Sequence, residues 1–312
     1  MPMRILGHVH TFNDEDVIDR SLQALLQQTR PLDAILLVDN ASTDRTLDRA
    51  FPDKVAVIRH PENRGTSGTV VTGFRYALEH GFDWIWLFDA DSAPHPDALE
   101  KLLELYQAFP PDLQAQVWLL ASLHIDVPTG EPHHAGTFTW RGAKAAHPGS
   151  RKPCYECDVA IWTGSLYRLE AVRTVGLPNA DYVLDVAECE YGYRGKQVGF
   201  RAFVHQESIV DHNIGGAPAL SSTVHRWGPF AIELKEFPPI RCYYLTRNLT
   251  YFWLHQYRGA WPFKGYVLLR VGSGLCRFTL NFLLRPFGRW RELKACLRGL
   301  RDGLAKRLAN RY

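Results

Sequence analysis

The first hundred residues alternate between short apolar runs and segments with helical periodicity, and this alternation constrains the fold more than any other feature. The apolar runs lie at residues 4–9, 34–38, 54–59 and 84–88. They are too short for most helices and rich in β-branched and aromatic residues, as is typical of buried parallel strands. Strand–helix–strand repeats of this length predict right-handed crossovers in a mostly parallel, Rossmann-like sheet with flanking helices. The fold class is therefore α/β, with ligands expected at the carboxyl ends of the strands.

Helical patterns fill the intervals between these runs. One set of apolar residues recurs on a single helix face at Ile18, Leu22, Leu25 and Leu26, and a second set recurs between Val70 and Leu78. Gly81 then supplies a stop signal. Residues 126–158 are rich in Gly, Pro and His and predict loops and short strands over the site. We expect a helix near 168–176, a strand near 198–205 and helices from about residue 240 onwards.

Charge divides the chain unevenly. The 36 basic and 33 acidic residues give a net charge of +3. Residues 258–312 hold thirteen Lys and Arg against two acids, a charge of +11, so the first 257 residues carry −8. Composition is otherwise that of a globular protein, which excludes disordered, collagen-like and disulfide-scaffold classes. We expect no signal segment at the start of the sequence, because residues 4–14 have the pattern of a strand that runs into a polar loop.

Two carboxylates follow the fourth predicted strand directly. Asp89 and Asp91 are one residue apart, with Ala90 between them. At the end of a buried strand both can reach one divalent cation, and their hard oxygen ligands suit Mg²⁺ or Mn²⁺, which also bind the phosphates of a nucleoside diphosphate. The alternative is structural: Asp91 or Ser92 caps a helix that begins at about Pro94. The D-x-D pattern alone does not decide between them.

Two other predicted strands end in polar residues. Asp39 and Asn40 follow the second strand, and a buried carboxylate such as Asp39 suits the N–H edge of a base. Ser42, Thr43 and Asp44 are predicted to cap the next helix. Asn63, Arg64 and Gly65 follow the third strand, where a glycine loop before a helix favours an anion. Turn and cap chemistry explains each group alone, but three groups in register with the sheet indicate a ligand site.

Several of these segments resemble a known family. The motifs are HTFND (10–14), VDNASTD (38–44), ENRGTSG (62–68), FDAD (88–91), WTGSLYRLEAVRTVGLP (162–178), DVAECEYGYR (185–194) and DHNIGG (211–216). Together they resemble glycosyltransferase family 2 on a GT-A fold. Within this family they resemble the bacterial rhamnosyltransferase and galactofuranosyltransferase branch. Two further segments resemble the family less closely: RCYYLTRNLTYF (241–252) and GLRDGL (299–304). The set is specific for the family and far less specific for the sugar.

The resemblance implies a metal-dependent inverting transfer from a nucleotide-diphosphate sugar. The donor would be a UDP- or dTDP-sugar, for example of galactofuranose or rhamnose, and the acceptor hydroxyl would belong to a glycan or to a lipid-linked (polyprenyl) molecule. The ion would be Mn²⁺ or Mg²⁺. By position the resemblance gives donor-binding roles to Thr11, Asn13, Asp39, Asn63, Arg64, Gly65, Asp89 and Ala90. It makes Asp89, Asp91 and His212 the metal ligands.

Inversion by single displacement also needs a general base opposite the leaving group. The family pattern has an Asp two positions before a Glu, and this register makes Glu188 the base and Glu190 its partner. Asp185 is the alternative base. The structural reading of these three carboxylates is an acidic helix start favoured by the helix dipole.

The basic tail predicts a surface-binding segment. Arg270, Arg277 and Arg285 recur at intervals of seven and eight residues within 266–288, so they lie on one side of a helix that Leu, Val and Phe otherwise cover. No apolar stretch approaches the roughly 20 residues of a membrane span. The pattern favours a helix in the interface of an anionic membrane, through residues 258–312. The alternative is a helix pair packed on the catalytic domain or on another copy of the chain, so a homo-oligomer stays open.

These inferences combine into one hypothesis. Residues 1–240 form a GT-A catalytic domain, and residues 241–312 form a basic amphipathic helical segment. We expect a glycosyltransferase of polysaccharide biosynthesis in the cell envelope, cytoplasmic and peripheral on the inner face of the membrane, with no nucleic-acid partner. Two alternatives remain: a sugar-nucleotidyltransferase, although HTFND lacks its Gly-rich basic loop, and a non-catalytic nucleotide-sugar-binding protein on the same fold.

Overall fold

A computed structural model describes residues 3–139, 142–146, 153–213, 222–227, 230–235, 237–258 and 290–308. The chain forms two compact units. The first comprises Met1–Phe138, Ala143–Ala180 and Tyr191–Ile214, and the second comprises Thr139–Gly142, Asp181–Glu190 and Gly215–Tyr312. The sequence-based domain boundary at residue 240 stays a prediction.

Ten of the strands between residues 5 and 212 form one mixed sheet among the residues described. The strands of this part of the chain, including β8 and β9 outside the large sheet, are β1 (Ile5–Thr11), β2 (Ala34–Asp39), β3 (Val55–Arg59), β4 (Trp84–Asp89), β5 (Ala93–Pro94), β6 (Val117–Asp126), β7 (Pro132–His133), β8 (Gly136–Thr139), β9 (Gly142–Ala145), β10 (Cys154–Cys157), β11 (Ser165–Arg168) and β12 (Arg201–His212).

The main strand order is β10-β12-β6-β11-β4-β1-β2-β3, with β5 on β12 and β7 on β6. The four strands predicted from the apolar runs are confirmed, and β1 pairs in parallel with both β2 and β4. Between β4 and β6 lies β11, which runs antiparallel to both of these neighbours. Parallel strands all point their carboxyl ends to one edge, which gathers the polar residues that follow them.

In the described part of this stretch, six α-helices accompany these strands: α1 (Ile18–Leu26), α2 (Gly65–Glu79), α3 (Ala98–Ala108), α4 (Pro111–Gln116), α5 (Leu169–Val175) and α6 (Ala187–Gln197). The periodic apolar residues of α1 and α2 face inwards as predicted, with Ile18, Leu25 and Phe74 fully buried, except for Leu26, which is 36% exposed. Large aromatic residues of β4, including Trp86 and Phe88, complete the core. Burial of each such side chain stabilises the fold by about 2–3 kcal/mol relative to exposure.

Two local predictions were wrong. No helix follows β2: Ser42, Thr43 and Asp44 cap nothing and instead bind the loop after β1. The helix expected from about Pro94 begins at Ala98, with Asp97 at its N-cap position. Residues 93–94 form β5 because they pair antiparallel with the end of β12. Asp91 and Ser92 are therefore not helix caps, and the structural alternative for D-x-D is removed.

In the second unit β13 (Ser222–Trp227) pairs antiparallel with β14 (Phe230–Lys235). Helix α7 (Pro239–Tyr251) continues into a π-helical turn at Phe252–Gln256, and α8 (Trp290–Leu304) packs against α7. Cys242 and Cys296, one from each helix, are fully buried in this interface. Helices from about residue 240 are confirmed, whereas the Arg270, Arg277 and Arg285 pattern lies outside the described residues.

Helices α7 and α8 approach closely at two glycines. A Cβ added to Gly299 would lie 2.4 Å from the carbonyl oxygen of Tyr243, and one added to Gly303 would lie 2.7 Å from that of Arg247. Tyr243 also donates a hydrogen bond from its hydroxyl to Asp302 at 2.9 Å. The small residues of GLRDGL therefore form the packing face of α8.

Candidate functional site

Strand register brings the predicted site residues of the first unit to one edge of the sheet. Thr11 at the end of β1 is the Cα partner of Asp39 at the end of β2, and His10 is the partner of Asp89 at the end of β4. Asp39 in turn is the partner of Arg59 at the end of β3. The carboxyl ends of four parallel strands thus form one polar edge, as the sequence predicted.

Asp89, Asp91 and His212 form the metal-type cluster of this edge. Each offers a ligand atom within 4.8 Å of the others. His212 Nδ1 lies 3.2 Å from Asp91 Oδ1, and His212 Nε2 lies 3.7 Å from Asp89 Oδ2. Pairing of β5 with β12 explains the meeting, because it returns the end of β12 to the residues that follow β4. Two carboxylates and one imidazole fit Mn²⁺ or Mg²⁺, with an oxygen-rich donor set that leaves positions for other ligands.

A chain of hydroxyl groups holds these ligands in place. Thr163 Oγ1 accepts the backbone N–H of Asp89 at 3.1 Å and donates to Ser92 Oγ at 2.8 Å. Ser92 Oγ lies 2.8 Å from Nδ1 of His212. Because Ser92 engages Nδ1, Nε2 is the nitrogen left to face a metal. Outer partners of this kind fix ligand orientation and tune metal affinity.

A second histidine, His10, contacts the cluster from β1. Its Nε2 lies 2.9 Å from Asp89 Oδ1. Burial opposes the charge of the Asp89 carboxylate, but attraction to His10, their hydrogen bond and the charge of His212 outweigh it and lower the pKa of Asp89 to about 2. Burial also opposes the charge of His212, yet its hydrogen bond to Asp91 and both carboxylates raise its pKa. The Asp89 carboxylate is therefore ionised at neutral pH, as a ligand of a cation must be.

Two further histidines of this region are neutral. Burial lowers the pKa of His8 and of His124 to about 3. His124 donates from Nε2 to the carbonyl oxygen of Thr163 at 2.7 Å, which supports the backbone of the hydroxyl chain. His8 lies against α2, where a Cβ on Gly73 would come within 2.3 Å of its ring.

The predicted nucleoside-binding residues lie on the other half of the edge. Asp39 is fully buried, accepts the backbone N–H of Ser42 at 3.2 Å and pairs with Arg59 at 3.3 Å. Asn13 adopts a left-handed backbone with φ of 59° and accepts the N–H of Thr43 at 2.8 Å. Thr11 is buried and donates to Asp14 at 2.8 Å. These bonds tie the loops after β1 and β2 into one rigid wall.

A buried asparagine organises the loop before α2. Asn40 donates to Asn63 Oδ1 at 2.9 Å and accepts the backbone N–H of Arg64 at 2.8 Å. Asn63 also accepts the N–H of Gly65, whose φ of +67° favours glycine. The half-exposed Arg64 side chain stands at this helix start. The structure thus joins Asn63, Arg64 and Gly65 to the polar edge, with the N-terminus of α2 available to an anion.

The candidate bases belong to the second unit. Asp185 precedes α6, and Glu188 and Glu190 lie in its first turn. Glu190 is buried and Glu188 is half-buried. Asp185 is paired with Arg241 of α7 through two hydrogen bonds of 3.1 and 3.2 Å. Asp185 is therefore held in a charge-assisted, paired contact with α7.

Sequence reasoning assigned no site role to several of these residues and considered Ser92 only as a helix cap. His10, Ser92, Thr163 and His124 contact the cluster or its supports, but each does so through a partner on a distant strand. One signal was present for His10: the HVH pattern of β1 places it on the same face as the buried His8. Ala90, given a donor-binding role, is 3% exposed, so only its backbone is positioned to contribute.

Comparison with known proteins decides the family. The model of the family described as "Glycosyl transferase family 2" matches residues 8–176, more than half of the chain. The chain belongs to glycosyl transferase family 2. The resemblance inferred from the motifs is confirmed, and the protein is a glycosyltransferase.

The relatives of this family 2 glycosyltransferase agree with that assignment. An undecaprenyl-phosphate mannosyltransferase of Micrococcus luteus is 36% identical over 237 residues, which cover 74% of this chain and 82% of the relative. A dTDP-rhamnosyl transferase of Shigella flexneri is 23% identical over 80% of this chain and 79% of its own. The second relative lies in the branch that the motifs indicated.

The fold of the glycosyltransferase is also that of solved structures. A mannosyltransferase from Pyrobaculum calidifontis in complex with GDP-Man and Mn²⁺ superposes with a TM-score of 0.55, over 97% of this chain and 87% of that one, at 14% identity. At 14% sequence identity, this structural similarity is evidence for the fold alone. The GT-A fold predicted from the motifs is confirmed.

Proposed function

We propose that this family 2 glycosyltransferase transfers a sugar from a nucleoside-diphosphate donor to an acceptor hydroxyl with inversion, in a metal-dependent reaction. The observation that carries the proposal is the Asp89, Asp91 and His212 cluster at the carboxyl ends of the parallel strands. Mn²⁺ or Mg²⁺ in this cluster would offset the charge of the donor diphosphate. The named Mn²⁺ complex of the Pyrobaculum mannosyltransferase supports this choice of ion.

The protein's own residues would do the remaining work. Asp39, buried beside β1, would accept an N–H of the donor base, and the wall of Thr11 and Asn13 would bound the nucleoside. Asn63, Arg64 and Gly65 would bind at the start of α2. Glu188 would remove the proton from the acceptor hydroxyl as it attacks, with Glu190 beside it on α6. Positioning of donor and acceptor would supply much of the rate.

The relatives' names support the proposed donor and acceptor classes. The Shigella relative is named for dTDP-rhamnose and the Micrococcus relative for a mannosyl group moved to undecaprenyl phosphate. We favour a UDP- or dTDP-sugar as donor, with GDP-mannose as the competing candidate, and a glycan or polyprenyl-linked molecule as acceptor. A panel of these donors with polyprenyl phosphate and glycan acceptors, assayed with Mn²⁺ or Mg²⁺, identifies the pair.

The reaction is tested with variants of the carboxylates. Asp91→Asn should abolish metal-dependent donor binding, whereas Asp211→Asn, on the neighbouring strand outside the cluster, should retain it. Glu188→Gln should leave donor binding intact and remove transfer. Retained metal-dependent activity in Asp91→Asn would contradict the metal site. An active Glu188→Gln variant would move the base to Asp185.

The outer face of α8 supports attachment to an anionic membrane. Trp290, Leu297 and Leu304 are 57%, 52% and 50% exposed and recur every seven residues, so they form one apolar stripe. Exposed basic residues flank the stripe at Arg291, Lys294, Arg298 and Arg301. Apolar and basic groups on one helix face suit lipid headgroups. No helix in the described part of the chain is long and apolar enough to cross a membrane.

Vesicle sedimentation tests this attachment at the inner face of the cell membrane. The full chain should bind vesicles containing anionic lipid and lose most binding in neutral vesicles or high salt. The double variant Trp290→Ser, Leu297→Ser should reduce binding at least tenfold. Val57→Ser, Val198→Ser is the control, because it removes apolar side chains of the first unit that are 40% and 52% exposed. Equal binding by both double variants would refute attachment through α8.

A further inference from the structure

The loop of residues 181–186 leads directly into α6 and has an uncommon backbone. Val183, Asp185 and Val186 have φ values of 59°, 55° and 67°. β-branched residues such as valine rarely occupy the left-handed region, so the surrounding structure must hold this conformation. Glu188 follows two residues after the last of these positions. The direction of the first turn of α6, and hence the place of Glu188, depends on what fixes this loop.

One buried amide of α7 binds three carbonyl oxygens of the loop. Asn248 is fully buried, and its Nδ2 donates to Tyr182 at 2.7 Å, to Leu184 at 2.6 Å and to Asp185 at 3.0 Å. These acceptors span the left-handed Val183 and reach Asp185 itself. A single side chain therefore satisfies carbonyl groups that the irregular backbone leaves without helix or strand partners.

Two arginines of α7 complete the contact. Arg247 is fully buried; its Nε donates to Asn248 Oδ1 at 2.9 Å, which fixes the orientation of the amide, and its Nη2 donates to the carbonyl of Asp181 at 2.5 Å. Arg241 makes the paired hydrogen bonds to the Asp185 carboxylate. Residues from both ends of α7 thus hold the loop along its whole length.

We propose that Asn248 and Arg241 are positioning residues that set the place of Glu188 through the loop of residues 181–186. This proposal rests on the proposed role of Glu188 as general base. Asn248 fixes the backbone before α6, and Arg241 holds the carboxylate of Asp185, three positions before Glu188, in an ion pair. A displaced base loses much of its effect even when every reacting group is present, because attack needs close alignment.

Steady-state kinetics of Asn248→Ala on the full chain tests the proposal. We expect kcat to fall about 10- to 100-fold, the loss typical of misplacement by about 1 Å, while the donor KM and Mn²⁺ affinity change less than twofold. His255→Ala is the control, since it removes a hydrogen bond to the carbonyl oxygen of Gly303 from the turn that follows α7. It should lower thermal stability with kcat unchanged. Equal kcat values for Asn248→Ala and wild type would overturn the proposal.

A double-mutant cycle separates positioning from general damage. In a Glu188→Gln background, followed with radiolabelled donor, Asn248→Ala should cause no additional loss, because the group it positions is already absent. Independent losses that multiply would show that Asn248 acts elsewhere and would overturn its role. If Glu188→Gln is itself fully active, the proposed base fails, which is a distinct result.

Arg241 provides a variant that tolerates substitution, because its side chain is 38% exposed. Arg241→Ala should lower kcat several-fold, and Arg241→Lys should restore part of the loss by keeping the charge beside Asp185. This pair stays decisive if Asn248→Ala does not fold. Unchanged kcat in Arg241→Ala, or no recovery in Arg241→Lys, would overturn the role of Arg241.

Discussion

Replacing Gly299 by alanine tests how closely α7 and α8 pack. The added Cβ would lie 2.4 Å from the carbonyl oxygen of Tyr243 and 3.0 Å from the backbone N of Arg247. Both atoms are backbone, so no side chain can rotate away and the helices must separate by roughly 1 Å to reach ordinary contact. Overpacking of this kind costs about 1–3 kcal/mol, whereas alanine's helix propensity returns up to about 1 kcal/mol.

The expected net destabilisation is about 1–2 kcal/mol. Thermal unfolding should show a Tm lower by about 2–6 °C for the transition that includes α7 and α8. Arg298→Ala, at the neighbouring exposed position, should shift stability by less than about 0.5 kcal/mol. An unchanged or raised Tm in Gly299→Ala would show that the helices do not meet at this face, and the reasoning would be refuted.

Two further predictions concern the first unit. Burial lowers the pKa of His8 to about 3 from 6.5, so the unfolded chain takes up a proton that the folded chain excludes. Its contribution to stability is therefore full above pH 6.5 and falls by up to about 1.4 kcal/mol per unit as pH drops from 6.5 towards 3. His8→Leu should reduce the pH slope of urea unfolding by about one proton, and an unchanged slope would contradict this. Thr163→Val removes the hydroxyl that orients Asp89 and Ser92 and should weaken Mn²⁺ binding at least tenfold, with Ser165→Ala as control; equal affinities would argue against the hydroxyl chain.

Periodicity predicted the part of the fold that depends on local burial. The runs that became β1 to β4 and, apart from Leu26, the apolar faces of α1 and α2 are confirmed, because a strand or helix buried on the sheet must show its period in sequence. The prediction that Ser42, Thr43 and Asp44 cap a helix was wrong because it also used only local residue preferences. Their side chains suit helix caps, but Asn13 and Glu15, thirty residues earlier, compete for the same groups and hold them in a loop.

The sequence predicted the carboxylates of the metal-type cluster but not the residues that hold these carboxylates in place. Asp89 and Asp91 stand next to each other in sequence, whereas Thr163 and His10 join them only through pairing of β11 and β1 with β4. Asn248 is a stronger example, since its three acceptors lie more than sixty residues away and are backbone atoms with no side-chain signature. Motif resemblance marked RCYYLTRNLTYF as a segment of interest, but its binding partners become clear only in the folded chain.

The thiols of Cys242 and Cys296 are fully buried between α7 and α8, so their chemical modification can detect separation of the two helices. They face each other closely enough that a hydrogen bond from Cys242 is the chief influence lowering the pKa of Cys296. Neither sulfur is reachable by a thiol reagent while the helices stay together. The rate at which mass spectrometry finds these two cysteines alkylated therefore measures how often the helix pair opens in the unmodified chain. Opening of the unit that contains Glu188 can therefore be followed without any substitution in the chain.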